Sequence, residues 1–447
     1  MDLHLILEII VLLGAIFLGV KLGGMAIGYA GGLGVVVLTL GLGLKSGSIP
    51  WDVILIIASV ISAITAMQVA GGLDWLVQLA SKILRKNPKQ INFLAPTVTY
   101  LLTLFAGTGH TAFSMIPVIA EVAKSQNIKP SVPLSIAVVA SQIAITASPV
   151  SAAVVFMAGD MALGGIGISY PILLAIWIPT TFLGCMVTAF IMNLFWKMDL
   201  SKDPVYQERL AKGLVKEIKA EEYKELPKGA GTSVAIFLIG VLLVVFYATA
   251  ISKNVGLITD VKLPRNDAIM STMLIIGTLI TMICKIDVGK LASTSTFKSG
   301  MNACICVLGV AWLGDTFVSN HTAQIKDLAG NLVGQYPVLL SVALFFASML
   351  LYSQAATAKA LIPTVILALG ITQADPSNAY IIVASFAAVS ALFVLPTYPT
   401  LLGAVQMDDT GTTRIGKYVF NHPFFIPGVL AIAFSVGFGF ILAPILL

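Results

Sequence analysis

Charge is scarce in this chain. Of its 447 residues only 11% are charged and 58% are hydrophobic, and the mean hydropathy is +0.97, a balance that excludes a soluble globular domain and points to an integral membrane protein. Cysteine is scarce too. The four, Cys185, Cys284, Cys304 and Cys306, lie in or beside apolar segments, at spacings that fit neither a zinc site nor a disulfide framework. There is no HExxH and no pair of aspartates in helix interiors, which argues against an intramembrane enzyme. No metal, cofactor or nucleic-acid partner is expected. The first apolar run has no basic cluster before it and no small-residue cleavage site before Lys21, so it reads as a retained transmembrane helix.

What the chain does have is long apolar runs with polar, glycine-rich or proline-containing interruptions. Leu101 to Pro117, LLTLFAGTGHTAFSMIP, is broken at Gly107-Thr108-Gly109-His110-Thr111, and Leu350 to Pro363, LLYSQAATAKALIP, aligns with it when 246 is added. Irregular backbone at membrane depth is tolerated only where it lines a cavity or is buried in protein. Two such segments in corresponding halves are a pointer to a transporter's substrate site.

A span needs roughly 20 mainly apolar residues. On that criterion the first half, 1–196, holds spans near 3–20, 25–44, 52–80, 132–158 and 169–196, with a re-entrant hairpin at 91–124 between basic loops. Residues 197–230 carry eight Lys or Arg against seven Asp or Glu and read as a solvated cytoplasmic linker, 197–231. The second half, 232–447, holds spans near 232–251, 268–284, 299–318, 379–403 and 424–445, with a hairpin at 338–371. With both termini outside, Lys21, the 82–89 loop, the linker, Lys285 to Lys298, Arg414 and Lys417 all fall inside, as the positive-inside rule requires. Adding 241 carries Val69, Ala70, Asp74 and Val77 onto Val310, Ala311, Asp315 and Val318. Five spans per half invert the second copy. The expected fold is therefore an all-α integral membrane protein, an inverted repeat of five transmembrane helices plus one re-entrant hairpin each.

Each hairpin is followed by a helix with its own break, Gln142 to Ser151 in one half and Leu395 to Thr400 in the other; adding 247 puts Pro149 on Pro396. Proline removes one helix hydrogen bond and displaces another. The freed carbonyls can hold a cation, with Ser148, Pro149, Pro396 and Thr397 marking the place, while half-helix N-termini face an anion. Hydroxyls come from Thr108, Thr111, Ser148, Ser151, Ser353, Thr357, Thr397 and Thr400, so the expected ligand is anionic. Each hydroxyl has the competing role of bonding its own backbone. Lys359 either meets a carboxylate or snorkels outward, and His110 either donates to the ligand, takes a coupled proton or caps carbonyls. Asp74 and Asp315 read as structural caps or ion pairs ahead of a coupling role, and Glu121 as an interfacial residue.

The runs MQVAGGLDWLV, FAGTGHTAFSMIPVIAEVAK, QIAITASPVSAAVV, GMNACICVLGVAWLGDTFVSN, LLYSQAATAKALIP and LPTYPTLLGAVQMDDTGTTRIGKYVFNHPFFIPG resemble the Dcu family of anaerobic C4-dicarboxylate carriers over essentially the whole chain. The resemblance implies a bacterial inner-membrane antiporter or cation-coupled importer of fumarate, succinate, malate and aspartate, with both termini periplasmic. The family is similar in outline to the ion-transporter superfamily, which implies an elevator mechanism and a homodimer in the lipid bilayer. It places hairpin-tip ligands at Thr108, Gly109, His110 and Thr111 and at Ser353, Gln354 and Thr357, and broken-helix ligands at Ser148 to Ser151, Thr397 and Thr400. The superfamily's Ser-Asn-Thr signature is absent from both tips, which leaves the coupling ion open between sodium and a proton. A membrane partner of a dicarboxylate sensor is the alternative function. A channel is disfavoured because both halves carry an occluding break.

Overall fold

The structure is a computed structural model that describes residues 3–22, 25–49, 51–107, 109, 112–159, 161–215, 225–251, 257–351, 353–395, 398–417 and 420–447. It is all-helical, with no strand among the described residues beyond one isolated bridge between Ile128 and Asp199.

The chain opens with α1 (Leu3–Leu22) and α2 (Ala26–Val36), the latter running into a π-turn over Val37–Gly41. Both are mainly apolar, α1 carrying only His4, Glu8 and Lys21 as ionisable residues, and large side chains such as Phe17 and Leu33 stay exposed, as on a lipid-facing surface. The sequence predicts a single span over 52–80. The chain instead forms α3 (Trp51–Val69) and α4 (Gly72–Lys86), bent by 70° where Gly71 takes φ +84°, a conformation open to glycine. The 91–124 segment holds α5 (Ile91–Ala106) and α6 (Ala112–Ser125), with Gly107 in the left-handed region closing α5.

Next comes α7 (Ser131–Ile143), buried on every side from Val132 to Ile143. It passes through a 3-10 turn, Ala144–Thr146, to α8 (Ala152–Met157), and the long α9 (Tyr170–Phe195) follows. In the linker, α10 (Pro204–Ala211) starts where the Asp203 carboxylate accepts from the Val205 and Tyr206 amides.

The second half begins with α11 (Ala230–Ala250) and α12 (Arg265–Cys284). Where the sequence predicts a span over 299–318, α13 (Ser295–Gln335) runs on, non-helical only at His321, because the first proline after it is Pro337. Then come α14 (Val338–Leu351) and α15 (Gln354–Ala368), and α16 (Ala379–Ser385), which continues as a 3-10 stretch over Phe386–Phe393. Last are α17 (Pro399–Met407) and α18 (Phe425–Leu446).

Among the described residues four helices are long and apolar enough to cross a membrane: α9, Ala230–Tyr247 of α11, α12 and α18; α3 with α4 makes a fifth if the bent pair is one span. The other apolar helices are shorter, and several end at the breaks that shape the site.

The interior divides. One large core joins α5–α9 with α14–α18, while a smaller one joins α3, α11 and α12. Small residues let backbones touch. A Cβ on Gly309 of α13 would collide with the carbonyl of Gly28 on α2, and one on Gly184 of α9 would collide with Ser435 of α18. Val150 and Val155, at and after the α7–α8 break, pack into the smaller core, so this break lies where the two cores meet.

Candidate functional site

Pro149 lies past the end of α7 and keeps the helix from resuming before α8, and hydroxyls bond carbonyls around the break. Ser148 Oγ donates to the Leu104 carbonyl on α5 at 2.6 Å, and Ser151 Oγ donates to the Ile145 carbonyl at 2.6 Å. Ser151 also caps α8 by accepting from the Val154 amide. The Pro149 carbonyl accepts from the Tyr170 hydroxyl. Both serines are fully buried, and in this structure their protons are committed to backbone, the competing role for membrane hydroxyls.

At the α5–α6 tip, a Cβ on Gly107 would lie 3.0 Å from Val150 Cγ2, and one on Gly109 would lie 3.4 Å from the Ser141 carbonyl and from Ile145 Cδ1. This tip therefore rests on the C-terminal end of α7. Thr108, His110 and Thr111, expected as ligands here, lie outside the described residues, as do Pro396 and Thr397 of the other break.

The α14–α15 tip is held differently. Ser353 caps α15 by accepting from the Ala356 amide at 3.2 Å, and Thr357 Oγ1 donates to the Ser353 carbonyl at 2.8 Å. Gln354 Nε2 reaches across to the main-chain carbonyl of Gln142 at 3.2 Å. Lys359 is buried, not snorkelling, with Nζ 5.8 Å from the ring centroid of Phe156 on α8, within range of a cation–π interaction.

Gln142, in the last turn of α7, is where these pieces converge. Its carbonyl also accepts from Ser390 Oγ at 3.4 Å, and its Nε2 lies 3.5 Å from the buried Thr400 Oγ1 at the start of α17. One residue thus links the α14–α15 tip, the 3-10 stretch and the α16–α17 break. Ser348 on α14 secures that break by donating to the Ala388 carbonyl and accepting from the Ala391 amide. Neither Gln142 nor Ser390 is a candidate from the sequence. The signal for Gln142 was its cost, an amide in a helix with no solvated face.

Of the expected residues, then, Gly109 meets the end of α7, Gln354 and Thr400 meet Gln142, and Ser148 and Ser151 bond within their own half. The Asp315 carboxylate accepts from the Ser48 amide, Asp74 sits in the first turn of α4, and Glu121 pairs with Arg85 at 3.0 Å. Among the described residues no group of three or more His, Cys, Asp or Glu is placed to hold a metal. A cavity of about 440 Å³ bounded by Ile166, Ile168, Pro376, Tyr380, Pro444 and Leu447 includes none of the candidate ligands.

Chemically, the junction offers both signs of partial charge. The N-terminal ends of α15 and α17 present amide dipoles suited to carboxylates, and the C-terminal end of α7 presents carbonyls.

A family model described as an anaerobic C4-dicarboxylate membrane transporter matches residues 4–447. The chain is 70% identical to the C4-dicarboxylate transporter DcuA of Wolinella succinogenes over 99% of its length and 100% of that protein. It is 63% identical to DcuA of Helicobacter pylori (98% and 99%) and 58% identical to DcuA of Escherichia coli (99% and 100%). In fold it is similar to the Neisseria gonorrhoeae MtrF structure, with a TM-score of 0.58 at 12% identity over 99% and 95% of the two chains. The Alcanivorax borkumensis YdaH transporter is similar at a TM-score of 0.53 and 13% identity, over 87% and 84%.

Proposed function

We propose, because this chain belongs to the anaerobic C4-dicarboxylate membrane transporter family, that it exchanges small dicarboxylates across the bacterial inner membrane at the junction around Gln142. It is a membrane transporter and not an enzyme. The carrying observation is that three interrupted segments meet at one residue, through Gln354, Ser390 and Thr400. A dianion must be desolvated there and met by donors, and the ends of α15 and α17 with Thr400 and the buried Lys359 supply them. The site must also release its ligand, and weak, divided donors serve that better than a bidentate arginine clamp.

The mechanism is alternating access of the elevator type, for exchange and for cation-coupled uptake, by a homodimer. Its support is the division of the interior into a large core over α5–α9 and α14–α18 and a smaller core formed by α3, α11 and α12, with the α7–α8 break where the two meet. Helix pairings also recur between the halves: α2 packs on α13 as α12 packs on α3, in keeping with an inverted repeat.

Loop placement supports the topology, with both termini periplasmic. Arg85–Glu121, Lys124–Asp409 and Lys129–Asp203, each at 3.0 Å, tie the loops expected inside to one another. The 166–168 loop, expected outside, shares its cavity with Leu447.

The experiment is counterflow of labelled succinate into proteoliposomes loaded with unlabelled succinate, fumarate, malate or aspartate, with sodium and pH varied separately. Saturable label uptake driven by the internal dicarboxylate is expected. No counterflow with any of the four would overturn the reading.

A further inference from the structure

The junction contains a buried acceptor that no described residue satisfies. Gln142 is completely buried, its Nε2 is turned toward Thr400, and its Oε1 has no hydrogen-bond partner among the described residues. A buried amide oxygen left unpaired costs on the order of 1–3 kcal/mol, and such orphans in native structures call for an explanation. Two further features share its sign. The Gln142 main-chain carbonyl accepts from two side chains, Gln354 and Ser390, beside the Ala144 amide. It also lies at the C-terminal end of the 13-residue α7, where the helix dipole is negative.

Succinate and fumarate have carboxylate acceptors and nothing to donate. A dicarboxylate carrying an amino group at C2 has three N–H donors on a cation, and one carrying a hydroxyl has a single donor. We infer that Gln142 is a specificity-determining residue of the carrier, its Oε1 and main-chain carbonyl receiving the C2 substituent of an amino- or hydroxy-dicarboxylate. This rests on the proposed transport function and names the part of the substrate that the site reads.

Because Gln142 is closed off in this structure, the substituent reaches it as the α14–α15 tip withdraws and the Gln354 amide gives up the Gln142 carbonyl. The ammonium then replaces the Gln354 donor and satisfies Oε1 as well, while the carboxylates face the N-terminal ends of α15 and α17. An unsubstituted dicarboxylate leaves Oε1 unpaired and displaces a donor without replacing it. A site built to bond a substrate group discriminates against analogues lacking it.

The test is competition against labelled succinate counterflow by unlabelled aspartate, malate, succinate and fumarate, in wild type and in Gln142→Met, a change that keeps volume and removes the acceptor. Inhibition by aspartate is expected to weaken about tenfold, malate by less, and succinate and fumarate by under about threefold. An unchanged aspartate-to-succinate ratio would overturn the inference, and so would an equal loss for all four substrates. A uniform loss that added sodium restores would also overturn it, by making Gln142 a cation ligand. Should Gln142→Met not fold, Gln142→Asn, read by the thermal stabilisation that aspartate and succinate each give the purified protein, carries the same comparison. Absence of wild-type counterflow with every dicarboxylate refutes the transport reading, whereas wild-type counterflow with an unaltered substrate ratio refutes this inference alone.

Discussion

Gln354 and Gln142 stand 212 residues apart in sequence, yet the side-chain amide of the first donates to the main-chain carbonyl of the second at 3.2 Å. The contact fastens the α14–α15 tip to the end of α7, and so joins the two halves of the chain at the breaks.

Removing that amide loosens the tip without uncapping α15, whose cap is Ser353. Gln354→Ala is expected to slow succinate counterflow at least tenfold and to lower stability by about 1 kcal/mol, the net worth of a typical hydrogen bond. Unchanged exchange would show that the contact does not serve transport.

Ser148 acts at the other break. With Ser148→Ala the buried Leu104 carbonyl loses its donor, and a loss of about 1–3 kcal/mol is expected in detergent unfolding. Weakened exchange should accompany it, because α5 and the break then part more easily. Wild-type stability would mean that another donor takes over the Leu104 carbonyl.

The α2–α13 contact depends on hydrogen in place of a side chain at Gly309, where a Cβ would run into the Gly28 carbonyl; at Gly32 an added Cβ meets nothing within 4 Å. Gly309→Ala should therefore lower the melting temperature and the yield of folded protein, and Gly32→Ala should leave both near wild type. Equal effects would contradict the close helix approach.

His422, in the loop between α17 and α18, is buried with its ring bonded to the Val394 carbonyl at 3.1 Å. Burial lowers its pKa below the usual value of about 6.5, against a smaller opposing pull from that carbonyl. An unfolded chain would take up the proton first, so this group's contribution to stability is full above about pH 6.5 and is lost as pH falls through the folded pKa. The melting temperature should fall more steeply from pH 7.5 to 5.5 in wild type than in His422→Gln. Parallel slopes would remove His422 from the acid sensitivity.

The positions of the interruptions were legible in the sequence because glycine and proline act locally. Gly107 closes α5 through a left-handed backbone, and Pro149 sits where α7 has already ended. The bend at Gly71 is equally local, but apolar length alone makes 52–80 one helix. The reach of α13 to Gln335 was hidden because hydropathy falls after Asp315 while helical conformation persists.

The site was legible only in part. Side-chain chemistry names Thr400 as a candidate and the family resemblance names Gln354, yet Gln142 belongs to a helix buried on every side, where no periodic pattern marks the functional face. The commitment of Ser148 and Ser151 to backbone carbonyls depends on where α5 and the 3-10 turn lie, which spacing along the chain does not encode.

The central claim is that the dicarboxylate sits against the α14–α15 tip. It is tested most directly by labelling Ser353→Cys, in a chain whose Cys185, Cys284, Cys304 and Cys306 are replaced by serine, with a membrane-impermeant maleimide. Succinate or aspartate at saturating concentration is expected to slow labelling several-fold, while a dianion of the wrong length, such as oxalate, leaves the rate unchanged. Labelling at one rate under all three conditions would contradict the account.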